Sequence, residues 1–336
     1  MFIKNKHITL LMKNSNISFC LYPFKIKKYI NQFKRLFRNH RYNKIYISFF
    51  LLPIGLIIFF IMKKIKILYL TYSNINYRVL VYSCCDEFYS HYIPIFCNTI
   101  LRADKLKKID IEIGTSLNSL SKKEEQAINY LRKKYKKSKI IINYKAFIKN
   151  KTGFYYNDTK IQYSNSIRFI SQPTIKNKYV YITDIDIFIF VENFYLNLID
   201  DMKKRKSPYS NVVRPNTTRL TGLHFIEYDA YYPIPKQKNY LINDEMLLYN
   251  IVQSKGIKID KTSNYRPVFG IHASPNRPTV YTSKIVGWGS EKYKYDWINY
   301  CKSSDFKYIY PLLDKYIVNK IKMLNNYYGI NSMNLN

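Results

Sequence analysis

Lys178-Tyr-Val-Tyr-Ile-Thr-Asp184-Ile-Asp186-Ile-Phe-Ile-Phe190 reads as an apolar strand that runs into two aspartates one residue apart and then turns apolar again. Side chains at i and i+2 of an extended segment point to one side. Asp184 and Asp186 are therefore expected to face one point in space. Two carboxylates at the end of a buried strand are costly to desolvate unless a cation or a hydrogen-bond network neutralises them. Hard oxygen ligands suit Mg²⁺ or Mn²⁺, which keep waters and substrate phosphates among their other ligands. Open α/β sheets bind ligands at the carboxyl ends of their strands. The stretch predicts a site where a divalent ion grips a diphosphate. An isolated Asp-x-Asp is most often a turn or cap pair; the strand in front of this one sets it apart.

Upstream of the pair the pattern is that of an α/β domain. Arg78-Val-Leu-Val-Tyr-Ser predicts a first buried strand, and Tyr92 to Leu106 a helix with apolar residues at helical spacing. Ile109-Asp-Ile-Glu-Ile-Gly114 alternates and predicts a second strand. Ser121-Lys-Lys-Glu124 is a capping box that opens a charged helix to about Lys137. Ile140-Ile-Ile-Asn-Tyr predicts a third strand, Asn165 to Ile170 a short helix, and Tyr179 to Thr183 the fourth strand. Strands alternating with helices predict a mostly parallel sheet with helices on both faces. No internal repeat is present.

Downstream lie the other polar constellations. Gly222, in Thr221-Gly-Leu-His224, allows close approach of the backbone to a ligand. His224 reads equally as a ligand contact and as a core-edge histidine held by hydrogen bonds. Asn243-Asp244-Glu245 precedes an apolar helical run, with Asn243 or Asp244 as N-cap. Acidic residues there serve either catalysis or simply the first helical turn. Arg266-Pro-Val-Phe-Gly-Ile-His272 predicts a short strand ending in a histidine, and an imidazole at a strand end can complete a metal shell begun by two carboxylates. Arg277 and Lys284 are candidates for stabilising leaving phosphates. Trp288 is a candidate for stacking on a sugar or base.

The 336 residues suffice for one large domain with an appendage, and 47% hydrophobic content supports a packed core. The formal net charge of +33 favours anionic partners, but no helix-turn-helix, zinc-finger or RNA-recognition motif is present, and specific nucleic-acid binding is not expected. The five cysteines match neither a zinc pattern nor a disulfide framework. Cys84 and Cys85 read as small buried hydrophobes.

Ile45 to Met62 is an uncharged apolar run, just long enough to span a bilayer. Pro53 and Gly55 are tolerated in such helices, and Tyr46, Lys44, Lys63 and Lys64 fit interface anchors. The expected organisation is a basic segment over 1–44, a transmembrane helix over 45–62, a linker over 63–76, the catalytic domain over 77–315 and a basic tail over 316–336. No acidic residue precedes Asp86, so the positive-inside rule puts the N-terminus in the cytoplasm and the domain on the far side. That suits a lumenal enzyme of the secretory pathway. A start at Met62 would instead leave a membrane-associated cytoplasmic protein.

In order, Ser166-Ile-Arg168-Phe, the strand ending Asp184-Ile-Asp186, the Gly222 segment, Asn243-Asp244-Glu245 and the strand ending Gly270-Ile-His272 resemble glycosyltransferases of the A-type fold. The likeness is strongest to the retaining family of glycogenin and the lipopolysaccharide galactosyltransferases, and it covers about residues 77–290. It implies a Rossmann-like nucleotide-diphospho-sugar transferase domain that moves a sugar from a nucleoside-diphosphate donor to a glycan or lipid-linked acceptor. By the same likeness Asp184, Asp186 and His272 hold Mn²⁺ or Mg²⁺, and Arg168 contacts the donor diphosphate or orients an aspartate. Two positions depart from that family. Leu220-Thr-Gly222-Leu-His224 stands where an Asn-Ser/Ala-Gly segment is usual, and Asp244-Glu245 stands where Asp-Gln is usual. An acidic pair there also resembles inverting enzymes, in which one carboxylate is the general base, so retention and inversion both stay open. A sugar nucleotidyltransferase would want a Gly-rich loop after the first strand, and Ser83-Cys-Cys-Asp86-Glu has none. A membrane-anchored binding or scaffold protein would not need the carboxylate pair.

Overall fold

β1 (Val79–Cys85) is buried over its whole length. Alternate residues enter two different cores: Val79, Val81 and Cys85 one, Leu80, Tyr82 and Cys84 the other. That is the period of two expected of a strand covered on both faces. The computed structural model describes residues 77–260, 268–273, 289 and 291–330. The predicted membrane run at 45–62 and its linker lie outside the described residues, as do Arg266, Arg277, Lys284 and Trp288.

From β1 the chain passes through α1 (Ile93–Ala103) into β2 (Ile109–Thr115), then α2 (Lys122–Lys134) and β3 (Ile140–Asn143). Both Ser121–Glu124 contacts of the predicted capping box are present at the start of α2. A three-stranded antiparallel meander follows: β4 (Ile148–Asn150), β5 (Gly153–Tyr156) and β6 (Thr159–Ile161). A 3₁₀ turn at Ser164–Ser166 leads into α3 (Ile167–Ile170), and β7 (Tyr179–Ile182) returns to the sheet beside β1. Next come β8 (Ile187–Ile189), α4 (Tyr195–Arg205), β9 (Tyr209–Ser210), β10 (His224–Glu227), α5 (Tyr228–Tyr231) and α6 (Asp244–Ser254). β11 (Gly270–His272) and helices α7 (Lys294–Cys301), α8 (Ser304–Ile309) and α9 (Lys315–Tyr327) complete the described chain.

The main sheet has six strands in the order β3-β2-β1-β7-β10-β9. β3, β2, β1 and β7 are mutually parallel, while β10 runs antiparallel to β7 and β9 antiparallel to β10. The domain is thus mixed α/β, with an antiparallel extension on a parallel sheet. β8 and β11 form a separate two-stranded sheet. The core on one face takes in α1, α2 and the C-terminal helices, and the core on the other takes in α3 and α6. The segment read as a C-terminal tail contributes α9, whose Ile317, Ile321 and Leu324 are buried in the first core. Its apolar residues recur at helical spacing; of the lysines between them Lys322 is exposed and Lys320 half-buried. Cys84, Cys85, Cys97 and Cys301 are free and buried, as expected for the first two. Among the described residues no helix is long and apolar enough to cross a membrane.

Candidate active site

β7 stops at Ile182, and Asp184-Ile-Asp186 occupies the turn into β8. This differs from the expected single extended segment. The chain has to leave the main sheet here, because β8 pairs with β11 rather than with any main-sheet strand. Ile185 is buried in the core at this turn. The two carboxylates nevertheless converge, and His272 joins them: one ligand atom from each of Asp184, Asp186 and His272 lies within 4.8 Å of the others.

The third member arrives through strand register. β11 runs antiparallel to β8 with His272 opposite Ile187, the residue after Asp186. The Ala273 amide donates to the Asp186 carbonyl at 2.8 Å, and the Tyr92 hydroxyl donates to the Ala273 carbonyl at 2.7 Å. The result is a 3.1 Å contact between His272 Nε2 and Asp186 Oδ1, with both side chains almost fully buried. Gly270 makes this pairing possible. A Cβ there would fall 1.7 Å from the Phe188 carbonyl oxygen.

Arg168 supplies the charge balance from behind. It is 1% exposed, and its Nη2 lies 2.8 Å from Asp184 Oδ1 and 3.4 Å from Asp244 Oδ2. The Ser164–Ser166 turn and α3 position it, and its Nη1 donates to the Asn165 carbonyl at 2.9 Å. Gly222 passes so close that a Cβ would stand 2.9 Å from Arg168 Nη2. The glycine read as admitting a ligand admits this guanidinium and the Asp184 carboxylate instead. Desolvation raises the Asp184 acid above its ordinary range; Arg168 opposes the shift without cancelling it, and the neighbouring Asp186 charge adds to it. At Asp186 the same desolvation is outweighed by His272, whose charge and hydrogen bond hold that carboxyl below the ordinary range.

Asn243 caps α6 by accepting from the Glu245 amide, which leaves Asp244 and Glu245 in the first turn. Asp244 Oδ2 accepts from Asn165 Nδ2 at 3.0 Å. Both Glu245 carboxylate oxygens accept from the Arg214 guanidinium, Oε2 from Nε and Oε1 from Nη2. Asp244 thus joins the Arg168 cluster, while Glu245 is taken up by a bidentate pair. Arg214, Asn165 and Asp86 are additions that sequence reading did not single out for this site. Asp86 follows the end of β1 and is nearly buried, accepting from the Tyr89 amide at 3.2 Å and the Ser164 hydroxyl at 3.3 Å. A lone acidic residue after a strand was its only sequence signal.

His224 resolves in favour of the core. It has no exposed surface, and burial pushes its imidazole down to about 3. The Asn211 Oδ1 atom accepts from the Thr221 hydroxyl at 2.6 Å and from the Val212 amide, so its Nδ2 is the donor to His224 Nδ1 at 3.1 Å. The ring is therefore neutral with its proton on Nε2, and its Nδ1 is taken up by Asn211 rather than by a metal site.

No protein-family model matches the chain, and no curated protein matches it. Solved structures that it is similar to are glycosyltransferases. The mannosyltransferase PcManGT from Pyrobaculum calidifontis, solved with GDP-Man and Mn²⁺, aligns at a TM-score of 0.38 and 12% identity over 56% of this chain and 56% of that one. TarS from S. aureus aligns at 0.37 and 9% over 53% and 34%. An active-site mutant of LgtC aligns at 0.35 and 12% over 52% and 70%. The chain spans about a third to just over half of the length of the first two. At TM-scores this low the likeness carries no argument about activity, which rests on the site itself.

Proposed function

We propose that the chain is a metal-dependent glycosyltransferase of the A-type fold, moving a sugar from a nucleoside-diphosphate donor to a glycan or glycolipid acceptor. The observation that carries this reading is the convergence of Asp184, Asp186 and His272 beside the carboxyl end of β7, with Arg168 buried behind them. Two carboxylates and one imidazole are a donor set for a divalent first-row ion, and the imidazole favours Mn²⁺ over Mg²⁺. Two donors from the β7–β8 turn and one from β11, within reach of one point, fit such an ion. Asp184, Asp186 and His272 would hold it. When bound, it offsets the charge of the departing diphosphate.

The chain's own residues do the rest. Arg168 neutralises Asp184 and ties it to Asp244, which keeps the carboxylates from repelling one another. It acts as a positioning residue rather than as a donor ligand, since almost none of its surface is open. Asp244, engaged through Oδ2, offers its other oxygen to an acceptor hydroxyl as general base. Glu245, clamped by Arg214, fixes the start of α6 beneath it. Arg277 and Lys284 remain the proposed contacts to the leaving phosphates, and attachment to a membrane through 45–62 remains part of the reading. A melting-temperature screen of the chain against nucleoside-diphosphate sugars, with and without Mn²⁺, tests it. Stabilisation that needs both metal and one diphosphate, and is lost in Asp186→Asn, is expected. No stabilisation by any donor on the folded chain would overturn it and favour a binding or scaffold role.

A further inference from the structure

The parallel strands of the main sheet begin on the edge opposite the Asp184–Asp186 site, and this edge is strongly basic. The loops that lead into β2, β3 and β7, residues 104–108, 135–139 and 174–178, carry eight lysines and one acid. The acid, Asp104, is buried; it accepts from the Ile109 amide at 2.7 Å and the Tyr195 hydroxyl at 3.1 Å. Lys107, Lys136 and Lys137 are exposed and border a groove of about 420 Å³ between the C-terminal ends of α1 and α2. A lysine or two at a helix C-terminus complements the helix dipole, and Lys105 and Lys176 pair with Glu192 and Asp229; the remaining lysines still exceed what these account for. Arg78 holds the two loops together: its Nη1 donates to the Lys107 carbonyl at 3.4 Å and its Nη2 to the Lys137 carbonyl at 2.8 Å. The side chains are thus presented on a braced backbone.

The same edge is where the described chain enters, at Tyr77 just before β1. The uncharged apolar run 45–62 precedes it by residues 63–76. Fully extended, that connection reaches at most about 50 Å. We infer that this amino-terminal edge is a docking face for an anionic phospholipid surface, with the candidate active site turned away from the lipid. β1 has seven residues, so at about 3.3 Å per residue the site stands roughly 20 Å from the docked edge. Anionic lipid is characteristic of cytoplasmic leaflets. The face therefore favours a domain on the cytoplasmic side over the orientation that the charge before residue 45 suggests. The inference rests on the membrane-attachment part of the proposed function and not on its sugar chemistry. Absence of donor binding would sink the latter and leave the docking result unchanged.

The test is amine-reactive footprinting of the full chain, read by mass spectrometry. The chain is reconstituted in vesicles of phosphatidylcholine alone or of phosphatidylcholine mixed with phosphatidylserine. Lys107, Lys136 and Lys137 are expected to be labelled several-fold more slowly on the anionic vesicles, and high salt should abolish the difference. Lys122 and Lys123, exposed at the start of α2 near the other edge, should not change. A surface lysine is worth about fivefold in partitioning to anionic lipid. The triple variant Lys107→Gln, Lys136→Gln, Lys137→Gln should therefore lose the protection of Lys139, one of the five edge lysines it retains, with its donor-dependent stabilisation unaltered. Equal labelling on the two vesicle types would overturn the inference. So would equal protection by inorganic phosphate or by single-stranded RNA in place of vesicles, which would assign the face to small anions or to nucleic acid.

Discussion

Gly270→Ala is expected to break the short ladder that carries His272 to the carboxylates. The added Cβ would lie 1.7 Å from the Phe188 carbonyl oxygen and 2.9 Å from Ile189 Cα. Real Cβ atoms keep at least 3.0 Å, so β11 would have to withdraw from β8 by about 1.3 Å. Both neighbours are backbone, and neither can swing aside as a flexible side chain would. Overpacking of this kind costs about 1–3 kcal/mol, and each ladder hydrogen bond lost adds about 0.5–1.5 kcal/mol. The total is about 2–5 kcal/mol, which lowers the melting temperature of a domain this size by about 5–15 °C. Gly256→Ala is the control. Gly256 has φ +71 with nothing within 4 Å, so only the left-handed backbone penalty of about 1 kcal/mol applies. The assay pairs a thermal scan with a Mn²⁺ titration of both variants. The Gly270 variant should melt well below the control and bind Mn²⁺ at least tenfold more weakly, since His272 moves with its strand. Equal melting and wild-type metal binding would refute the reasoning from β8–β11 register.

Asp186→Asn should keep the fold and abolish Mn²⁺-dependent transfer, and His272→Ala should weaken Mn²⁺ affinity by about 10–100-fold; an unchanged metal titration in either removes that residue from the site. Arg168→Met leaves Asp184 and Asp244 facing each other without their cation and should cost about 3–5 kcal/mol in urea unfolding. Arg168→Lys should recover only part of this, because one ammonium cannot take the place of Nη2 between the carboxylates and also keep the Nη1 bond to the Asn165 carbonyl; full recovery would show that the planar fork contributes nothing. Burial holds the His224 imidazole at about 3, below its unfolded value. Its contribution to stability is then complete above about pH 6.5 and is lost as pH falls toward 3, at a limiting slope of about 1.4 kcal/mol per unit. His224→Gln should flatten the stability-versus-pH curve in that window, and identical slopes would show that the ring is not held neutral.

Much of the domain is legible in short-range pattern. β1, α1, β2, α2, β3 and β7 each occupy a stretch whose periodicity announces it, and the Ser121–Glu124 box and the Asn243 cap are local devices that need no tertiary context. The meander β4–β6 is not legible in the sequence, because its strands are short and mostly exposed or half-buried, so no clean alternation marks them. β2 shows how far pattern reaches. Ile109-Asp-Ile-Glu-Ile alternates as a half-exposed strand should, yet Asp110 and Glu112 are buried. Asp110 is met by Arg78, and Glu112 accepts from Asn143, Thr174 and Ile175. Alternation reports the chemistry of each face, not what later parts of the chain lay over it.

The candidate site divides the same way. Sequence alone determined that Asp184 and Asp186 sit at a strand's carboxyl end, that His272 ends a later strand, and that Asp244 and Glu245 open a helix. These are statements about residues a few positions apart, governed by backbone geometry and by the cost of burying a charge. Tertiary structure alone decided which of them meet. The β8–β11 register set His272 against Asp186, the approach of Gly222 shut Arg168 in behind Asp184, and Arg214 claimed Glu245 while Asn211 claimed His224. Each of those outcomes pairs residues more than ten positions apart. Long-range pairing is selected by the packing of the whole domain, because a buried charge or imidazole must find whichever partner the fold brings within hydrogen-bond distance.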